Sequence, residues 1–412
     1  MALNYIWIIF FIIAFAIGLV RLIFFGDTDI FRLMAEGTFD SAKSSVMDIA
    51  LPLVGIMSLW LGFMRIGEKA GAINFLSRIV GPFFKRLFPE VPENHPAVGQ
   101  MVLNFSANLL GLDNAATPLG LKAMNGLQEL NTDKDTASNA QIMFLVLHAS
   151  GLTILPIAII AQRAIFHSKD PTDIFIPCIV ATYASTLVGL IFVAIKQKIN
   201  LFDRVVLSWL IGITGFVVLL IWYFTVYLNR SQISAFSGVF SNIIYLGIPT
   251  LFILGGICKK INVFDAFIDG AREGFEVSIK IIPYLVGLLV AVSLFRTSGA
   301  LTYLGDGFKW IFSHFNIDTR FTDVLPIAFV RPLSGSGARA LMLDNLKTLG
   351  PDSFIGHMSS VLYGTADTTF YIVALYFGVV NIKKTRYTVP AMLIADVAGI
   401  TTAILISYLF WG

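Results

Sequence analysis

Nine stretches of this chain are each about 20 residues long and almost wholly apolar, the length an α-helix needs to cross a bilayer core. They are 5–25, 44–64, 141–163, 174–195, 205–227, 238–257, 277–295, 354–379 and 387–411. Helices apolar on every side need lipid, not water, around them. Composition agrees: 56% of the 412 residues are hydrophobic and 13% are charged, against about 25% charged in a soluble domain. A soluble enzyme, a disordered chain and a secreted disulfide scaffold are excluded. The net charge of +3 leaves no basic face for nucleic acid. Cys178 and Cys258 lie 80 residues apart without a His nearby and read as small apolar fillers. The N-terminal MALNYIWIIFFIIAFAIGLVRLIFF has no basic n-region and no A-x-A site, so it reads as a retained first membrane helix.

Two further apolar stretches, 97–126 and 323–347, are broken at their middles by Gly, Pro and polar residues. Two short ones, 70–88 and 300–315, mix aromatic and basic residues (FFKRLF, FKWIFSHF) and read as amphipathic helices lying in the interface. The order repeats. Ala-Lys-Ser, Pro52 and Arg65 match Ala-Arg-Glu, Pro283 and Arg296, with 13 residues from Pro to Arg in both. An amphipathic segment follows each, then an interrupted stretch ending in Lys122-Ala-Met or Arg339-Ala-Leu. Val-Leu-His148-Ala-Ser150-Gly-Leu-Thr153 then matches Val-Leu-Tyr363-Gly-Thr365-Ala-Asp367-Thr368, and Pro177 and Pro390 open the closing helices. Such repeats are common in secondary transporters.

The basic loops 65–95, 196–204, 258–272 and 380–386 share one face only if 97–126 and 323–347 each enter and leave on the same side. Both are then re-entrant hairpins, and the repeats have opposite orientation, with the N-terminus inside. Arg296, Lys309 and Arg320 count against this. The expected fold is an all-α polytopic membrane protein with about nine transmembrane helices, two re-entrant helical hairpins and two repeats in inverted topology. The chain divides into 1–40, an N-terminal helix and loop; 41–200, the first repeat; 201–270, connecting helices; and 271–412, the second repeat.

Broken backbone at membrane depth is tolerated only where protein or a water-filled cavity surrounds it. The first hairpin tip holds Gly111, Asp113, Asn114, Thr117 and Pro118; the second holds Arg331, Pro332, Ser334, Gly335, Ser336 and Gly337. His148, Ser150 and Thr153 mark a break in 141–163, as do Thr365, Asp367 and Thr368 in 354–379. Discontinuous helices aim half-helix termini at a midplane site. The expected substrate-binding set is therefore Asp113, Asn114, Thr117, His148, Ser150, Thr153, Arg331, Ser334, Ser336, Thr365, Asp367 and Thr368. Intramembrane charges need partners or jobs. Arg339 and Asp344 read as an internal pair, Arg331 as a fork for an anionic group, and Asp367 as a holder of a coupling proton, a cation or a substrate donor. His148 reads either as a site residue or as a satisfied packing residue. No P-loop, HExxH, GxSxG or metal-spaced His/Cys cluster occurs, so no cofactor, metal or enzyme activity is expected.

GLDNAATPLGLKAM and LHASGLTILPIAIIAQR resemble spore maturation protein A, and RPLSGSGARALML and YGTADTTFYIVALYFG resemble spore maturation protein B. The chain is thus similar, over nearly its whole length, to a fusion of the two. Both halves resemble the nucleoside-recognition, or Gate, domain, which also occurs in ferrous iron transporter B and is related to the core of concentrative nucleoside transporters. The resemblance implies hairpins beside broken helices and a family role in spore core dehydration. It names no substrate. The iron transporter's G domain and Cys pattern are absent. The expectation is a secondary transporter of the bacterial inner membrane. It moves a small polar or anionic solute, or a lipid head group, through a midplane site between the repeats. The alternative is a non-transporting membrane scaffold for envelope or spore maturation. Expected partners are the solute, membrane lipids and a second copy in a homodimer, with no nucleic acid.

Overall fold

The computed structural model describes residues 2–92, 94–109, 113–227, 230–314 and 318–412. These residues are helical apart from turns and one isolated bridge between Thr136 and Lys384. In chain order the helices are α1 (Ala2–Phe25), α2 (Ile30–Ser44), α3 (Leu51–Ala70), α4 (Ala72–Leu87), α5 (Pro96–Leu109), α6 (Asp113–Leu130), α7 (Asn139–Ala149), α8 (Ile157–Ile165) and α9 (Phe175–Gln197). There follow α10 (Arg204–Tyr227), α11 (Arg230–Cys258), α12 (Val263–Thr297), α13 (Ala300–Ser313), α14 (Leu325–Val330), α15 (Gly335–Leu349), α16 (Phe354–Tyr363), α17 (Thr369–Val379) and α18 (Thr388–Trp411).

Five runs among the described residues are long and apolar enough to span a membrane: Trp7–Phe25, Ile30–Ala70, Phe175–Gln197, Arg204–Tyr223 and Thr388–Trp411. Their outer faces leave large side chains such as Ile12, Phe24, Leu219, Trp222 and Leu405 exposed, as lipid-facing helices do. The apolar stretches 238–257 and 277–295 lie within α11 and α12. Ser45–Ala50, between α2 and α3, is wound as a π-helix just before Pro52. A proline nitrogen cannot donate and its ring crowds the preceding turn, so local widening absorbs the defect. The amphipathic segments are α4 and α13, and each begins after a left-handed glycine, Gly71 (φ 89°) and Gly299 (φ 91°). The two interrupted stretches are the helix pairs α5–α6 and α14–α15, whose members pack together.

The other two breaks also occur where the sequence places them. The stretch 141–163 is α7 and α8, separated by non-helical residues, and 354–379 is α16 and α17. Ser138 opens α7 with a reciprocal capping box to Gln141. These breaks are also where the chain passes between two compact units. One unit comprises Met1–Gly62, Ala158–Pro171 and Ile268–Tyr363; the other comprises Phe63–Ile157, Thr172–Phe267 and Gly364–Gly412. Each unit therefore takes a hairpin and the first half of a broken helix from one repeat. It takes the second half of a broken helix from the other repeat.

Loop contacts inside each unit fasten these exchanged pieces. In the first unit Arg163, 0% exposed, donates from Nη1 to the Pro351 carbonyl (2.7 Å) and from Nη2 to Ser168 Oγ (3.0 Å) and Asp352 Oδ1 (3.4 Å). Ser168 Oγ (2.5 Å) and the Lys169 N–H (2.9 Å) also donate to Asp352. Partial burial disfavours the charged Asp352, but these donors and the Arg163 guanidinium outweigh it and hold the carboxyl below its ordinary range. In the second unit the N–H groups of Lys383 and Lys384 both donate to the Asp135 carbonyl at 2.9 Å, and Arg386 Nη1 donates to the Ala137 carbonyl at 2.9 Å.

Candidate functional site

The second unit gathers its polar side chains around His148, in the last turn of α7. A polar ring in an apolar helix must find partners. His148 Nδ1 lies 3.0 Å from Asn104 Oδ1 and 2.9 Å from Asn108 Nδ2, and Nε2 lies 3.0 Å from Tyr376 Oη. Asn104 and Asn108 stand one turn apart on α5, so both amides face the same way. Asn104 Nδ2 donates to the Ala116 carbonyl at 2.6 Å, which turns its oxygen toward the ring. Nδ1 thus meets one acceptor and one donor, and Nε2 meets a hydroxyl that can serve either way. Both neutral tautomers are satisfied. The Tyr376 hydroxyl also bonds the Thr117 side chain. It fits because α6 has Gly120 there: a Cβ at that position would stand 2.6 Å from the hydroxyl and 2.9 Å from Asn104 Nδ2.

The backbone of the breaks is satisfied by the same unit. The Asp367 N–H donates to the Ala149 carbonyl (2.7 Å), closing the C-terminus of α7. The Ile154 N–H donates to the Leu109 carbonyl (2.9 Å), and Thr186 Oγ1 donates to the Ser150 carbonyl (2.7 Å). The exposed Asp367 carboxylate accepts from the Thr368 N–H (2.6 Å) and acts electrostatically on both His148 and Tyr376. Nearby, Thr369 Oγ1 donates to buried Asp396 at 2.6 Å.

Of the expected residues, Thr117, His148, Ser150, Thr153, Thr365, Asp367 and Thr368 belong to this unit. Among these, hydrogen bonding or charge links Thr117, His148 and Asp367 through Tyr376 and the ring. The hydroxyls of Ser150 and Thr153 turn back to local carbonyls, Val146 at 2.7 Å and Gly151 at 3.2 Å. Thr365 and Thr368 are buried in the break. Asp113 and Asn114 head α6, and their side chains, with that of Pro118 and all of Gly111, lie outside the described residues.

Arg331, Ser334 and Ser336 belong to the first unit. Arg331, 9% exposed, donates from Nε to the Tyr363 carbonyl (2.9 Å), and its guanidinium sits 4.6 Å from the Tyr363 ring centroid. It thereby closes the C-terminus of α16, where a cation also meets the negative end of the helix. Ser334 caps α15 by accepting from the Gly337 N–H at 3.0 Å, and Ser336 lies in its first turn. Arg339 Nε meets the Tyr363 hydroxyl at 3.1 Å. Asp344 pairs with Arg296 rather than with Arg339. Residues five apart on a helix do not face each other, so that pairing was sterically disfavoured. Cys178 is buried, Cys258 is exposed, and neither is in a disulfide.

Asn104, Asn108, Gly120 and Tyr376 join this cluster without being among the residues expected from the sequence. Two Asn at helical spacing in NFSANLL were a legible signal. Tyr376, inside FYIVALYFG, carried none. Among the described residues no group of three His, Cys, Asp or Glu could hold a metal ion.

A family model for the Gate (nucleoside recognition) domain matches residues 50–166 and again 278–383, together more than half of the chain. Over 160 residues the chain is 42% identical to spore maturation protein B of Bacillus subtilis strain 168, covering 88% of that protein and 39% of this one. Over 156 residues it is 42% identical to spore maturation protein A of the same strain, covering 79% of that protein and 38% of this one. No solved structure matches. Two Gate regions, two relatives that each account for about two-fifths of the chain, and an all-helical fold with exposed apolar faces agree: this chain belongs to the Gate-domain spore maturation family and is a membrane protein.

Proposed function

We propose that the chain is a secondary transporter that moves a small polar solute through the site around His148. One observation carries this reading: an exposed carboxylate, Asp367, sits at a helix break and acts on His148 and Tyr376, with the His148 ring held by Asn104 and Asn108, in a chain otherwise built for lipid. A carboxylate in such surroundings is costly unless it faces water or a ligand. The amides, the hydroxyl and the carboxylate offer donors and acceptors without a fixed cation. They suit a neutral, hydroxylated or amine-bearing solute better than an anion. The engagement of Arg331 with Tyr363 supports the same preference. His148 can switch between its two neutral tautomers as the solute arrives, because both ring nitrogens have partners. The breaks supply the hinges for alternating access.

The spore maturation relatives support a role in spore maturation where the host forms spores. The basic loops support an inner-membrane protein with a cytoplasmic N-terminus. Nothing in the site supports bond-making chemistry, so the protein is proposed to act without enzymatic activity.

The test is thermal unfolding of the purified chain in detergent against nucleosides, amino sugars, muropeptide fragments, dicarboxylates and polyprenyl phosphates. A solute at 100 times its dissociation constant adds about 2.7 kcal/mol of stability. The expected result is a hit among the polar solutes that disappears in Asp367→Ala and Tyr376→Phe. A hit that survives both variants and disappears in Arg331→Ala, with the variant still folded, would move the site to the other unit. A folded protein with no response across the panel would sink the transport reading for these solute classes.

A further inference from the structure

We propose that the outer face of α4 is a binding surface for anionic phospholipid within the unit that carries His148. The helix reads AINFLSRIVGPFFKRL, with three cations and no acidic residue. Phe75, Arg78, Ile79, Pro82 and Arg86 recur at the three- and four-residue spacing of one helix face, Lys85 stands at its edge, and all six are exposed. The opposite face is held by protein. The Phe84 ring centroid lies 5.0 Å from that of Phe105 on α5, and the Phe83 centroid 5.6 Å from that of Trp209 on α10. The helix therefore turns a mixed row outward, with Phe75 65% and Ile79 45% exposed among the cations. Hydrocarbon suits the apolar members and water suits the charged ones. The boundary between acyl chains and head groups suits both.

The chemistry selects a lipid with a phosphate and no cation of its own. Arg86 Nε lies 3.7 Å from Asp203 Oδ1, so one charge is partly balanced, and the row as a whole stays positive. Two guanidiniums offer forks that match phosphate oxygens. Pro82 lies within the helix and cannot donate to the Arg78 carbonyl, which loses its usual partner on the exposed side. Head-group depth supplies donors for it; the hydrocarbon core supplies none. α13, the amphipathic helix of the other repeat, lacks such a row. Its exposed Tyr303 and Trp310 stand with an exposed Asp306, and its one cation, Lys309, meets Asp323 at 3.0 Å. Lipid on α4 also has a route inward. Phe84 packs on Phe105, the neighbour of Asn104, whose amide holds the His148 ring. Anchoring α4 steadies that wall of the solute site. This last role rests on the transport reading; lipid binding itself does not.

The test is thermal unfolding of the full chain in detergent, titrated with dioleoyl phosphatidylglycerol, dioleoyl phosphatidylcholine or inorganic phosphate, with no solute present. The expected result is a saturable rise in Tm with phosphatidylglycerol alone, weakened as salt is raised. Each cation neutralised among Arg78→Gln, Lys85→Gln and Arg86→Gln should raise the half-saturating lipid fraction about fivefold. Lys383→Gln with Lys384→Gln, in an exposed loop of the same unit, should leave it unchanged. If the cation variants do not fold, Phe75→Ser and Ile79→Ser carry the test, since both keep the charge and remove the apolar contacts. No rise with phosphatidylglycerol, an equal rise with phosphatidylcholine or inorganic phosphate, a half-saturation unmoved in the folded α4 variants, or one moved as far by the Lys383 and Lys384 pair would each overturn the proposal. A phosphatidylglycerol response with no solute response leaves the lipid face standing while the transport reading falls; a solute response without a lipid effect does the reverse.

Discussion

At matched positions of the two repeats the chain places His148 in one compact unit and Tyr363 in the other. Both residues end the first half of a broken helix, and the carbonyl there or one residue on is closed by another segment of the same unit. In the second unit a backbone N–H, from Asp367, does this for Ala149. That leaves the His148 ring to two amides and a hydroxyl, with a carboxylate exposed beside them. In the first unit an arginine side chain does it for Tyr363, and a second arginine takes the tyrosine hydroxyl. The hairpins agree closely: Thr117 and Gly120 stand before Lys122 as Ser334 and Gly337 stand before Arg339. The difference teaches that one scaffold serves two ends. Where the backbone closes its own break, side chains are released for a ligand. Where side chains close it, they are spent on structure.

The largest test of that contrast is Arg163→Ala. Removing a fully buried cation strands the Pro351 carbonyl and takes the guanidinium away from Asp352. Losing a buried charged donor to a carbonyl costs about 2–3 kcal/mol, so thermal unfolding should shift strongly while solute binding at His148 in the surviving folded fraction stays intact.

Arg331→Ala should come next. It loses a charged hydrogen bond to a helix end and the stacking on Tyr363, together about 2 kcal/mol. A loss of stability without loss of solute response sharpens the contrast; the opposite result breaks it.

Gly120→Ala pushes a methyl group against Tyr376 and Asn104. Overpacking of this kind costs about 1–2 kcal/mol, and here it should weaken solute binding more than its cost in Tm implies. Tyr376→Phe removes one hydroxyl from His148 and Thr117, about 1 kcal/mol in unfolding measurements. Its larger effect should fall on transport.

The smallest effect is a pH dependence. Asp352 is held below its ordinary range in the folded state, so its contribution is full above the unfolded value, near about pH 4, and is lost as pH falls through the folded value. Asp352→Asn should flatten the acid limb of a Tm-against-pH profile and leave its neutral region the same shape.

Much of this was legible in advance. Apolar length fixed the helices, because a spanning helix has few other ways to satisfy its backbone. The density of Gly and Pro located all four breaks, and alignment of the halves located the repeats. His148, Asp367 and Thr117 could be named because polar residues stand out against such a background. Tyr376 could not, since a tyrosine among Phe, Leu and Val is ordinary packing until a partner is known. The Arg339–Asp344 pairing failed because residues five apart on one helix point to different faces, and the Arg296 that Asp344 meets comes from a distant segment.

The amino-acid order by itself thus determined membrane residence, the repeat and the broken helices, since hydropathy and backbone chemistry act locally. Only the tertiary structure decided that the halves of the broken helices belong to different compact units. That exchange sets Asp367 beside His148 and Arg163 against Pro351 and Asp352. It depends on which distant segments meet, and no local pattern along the chain encodes that.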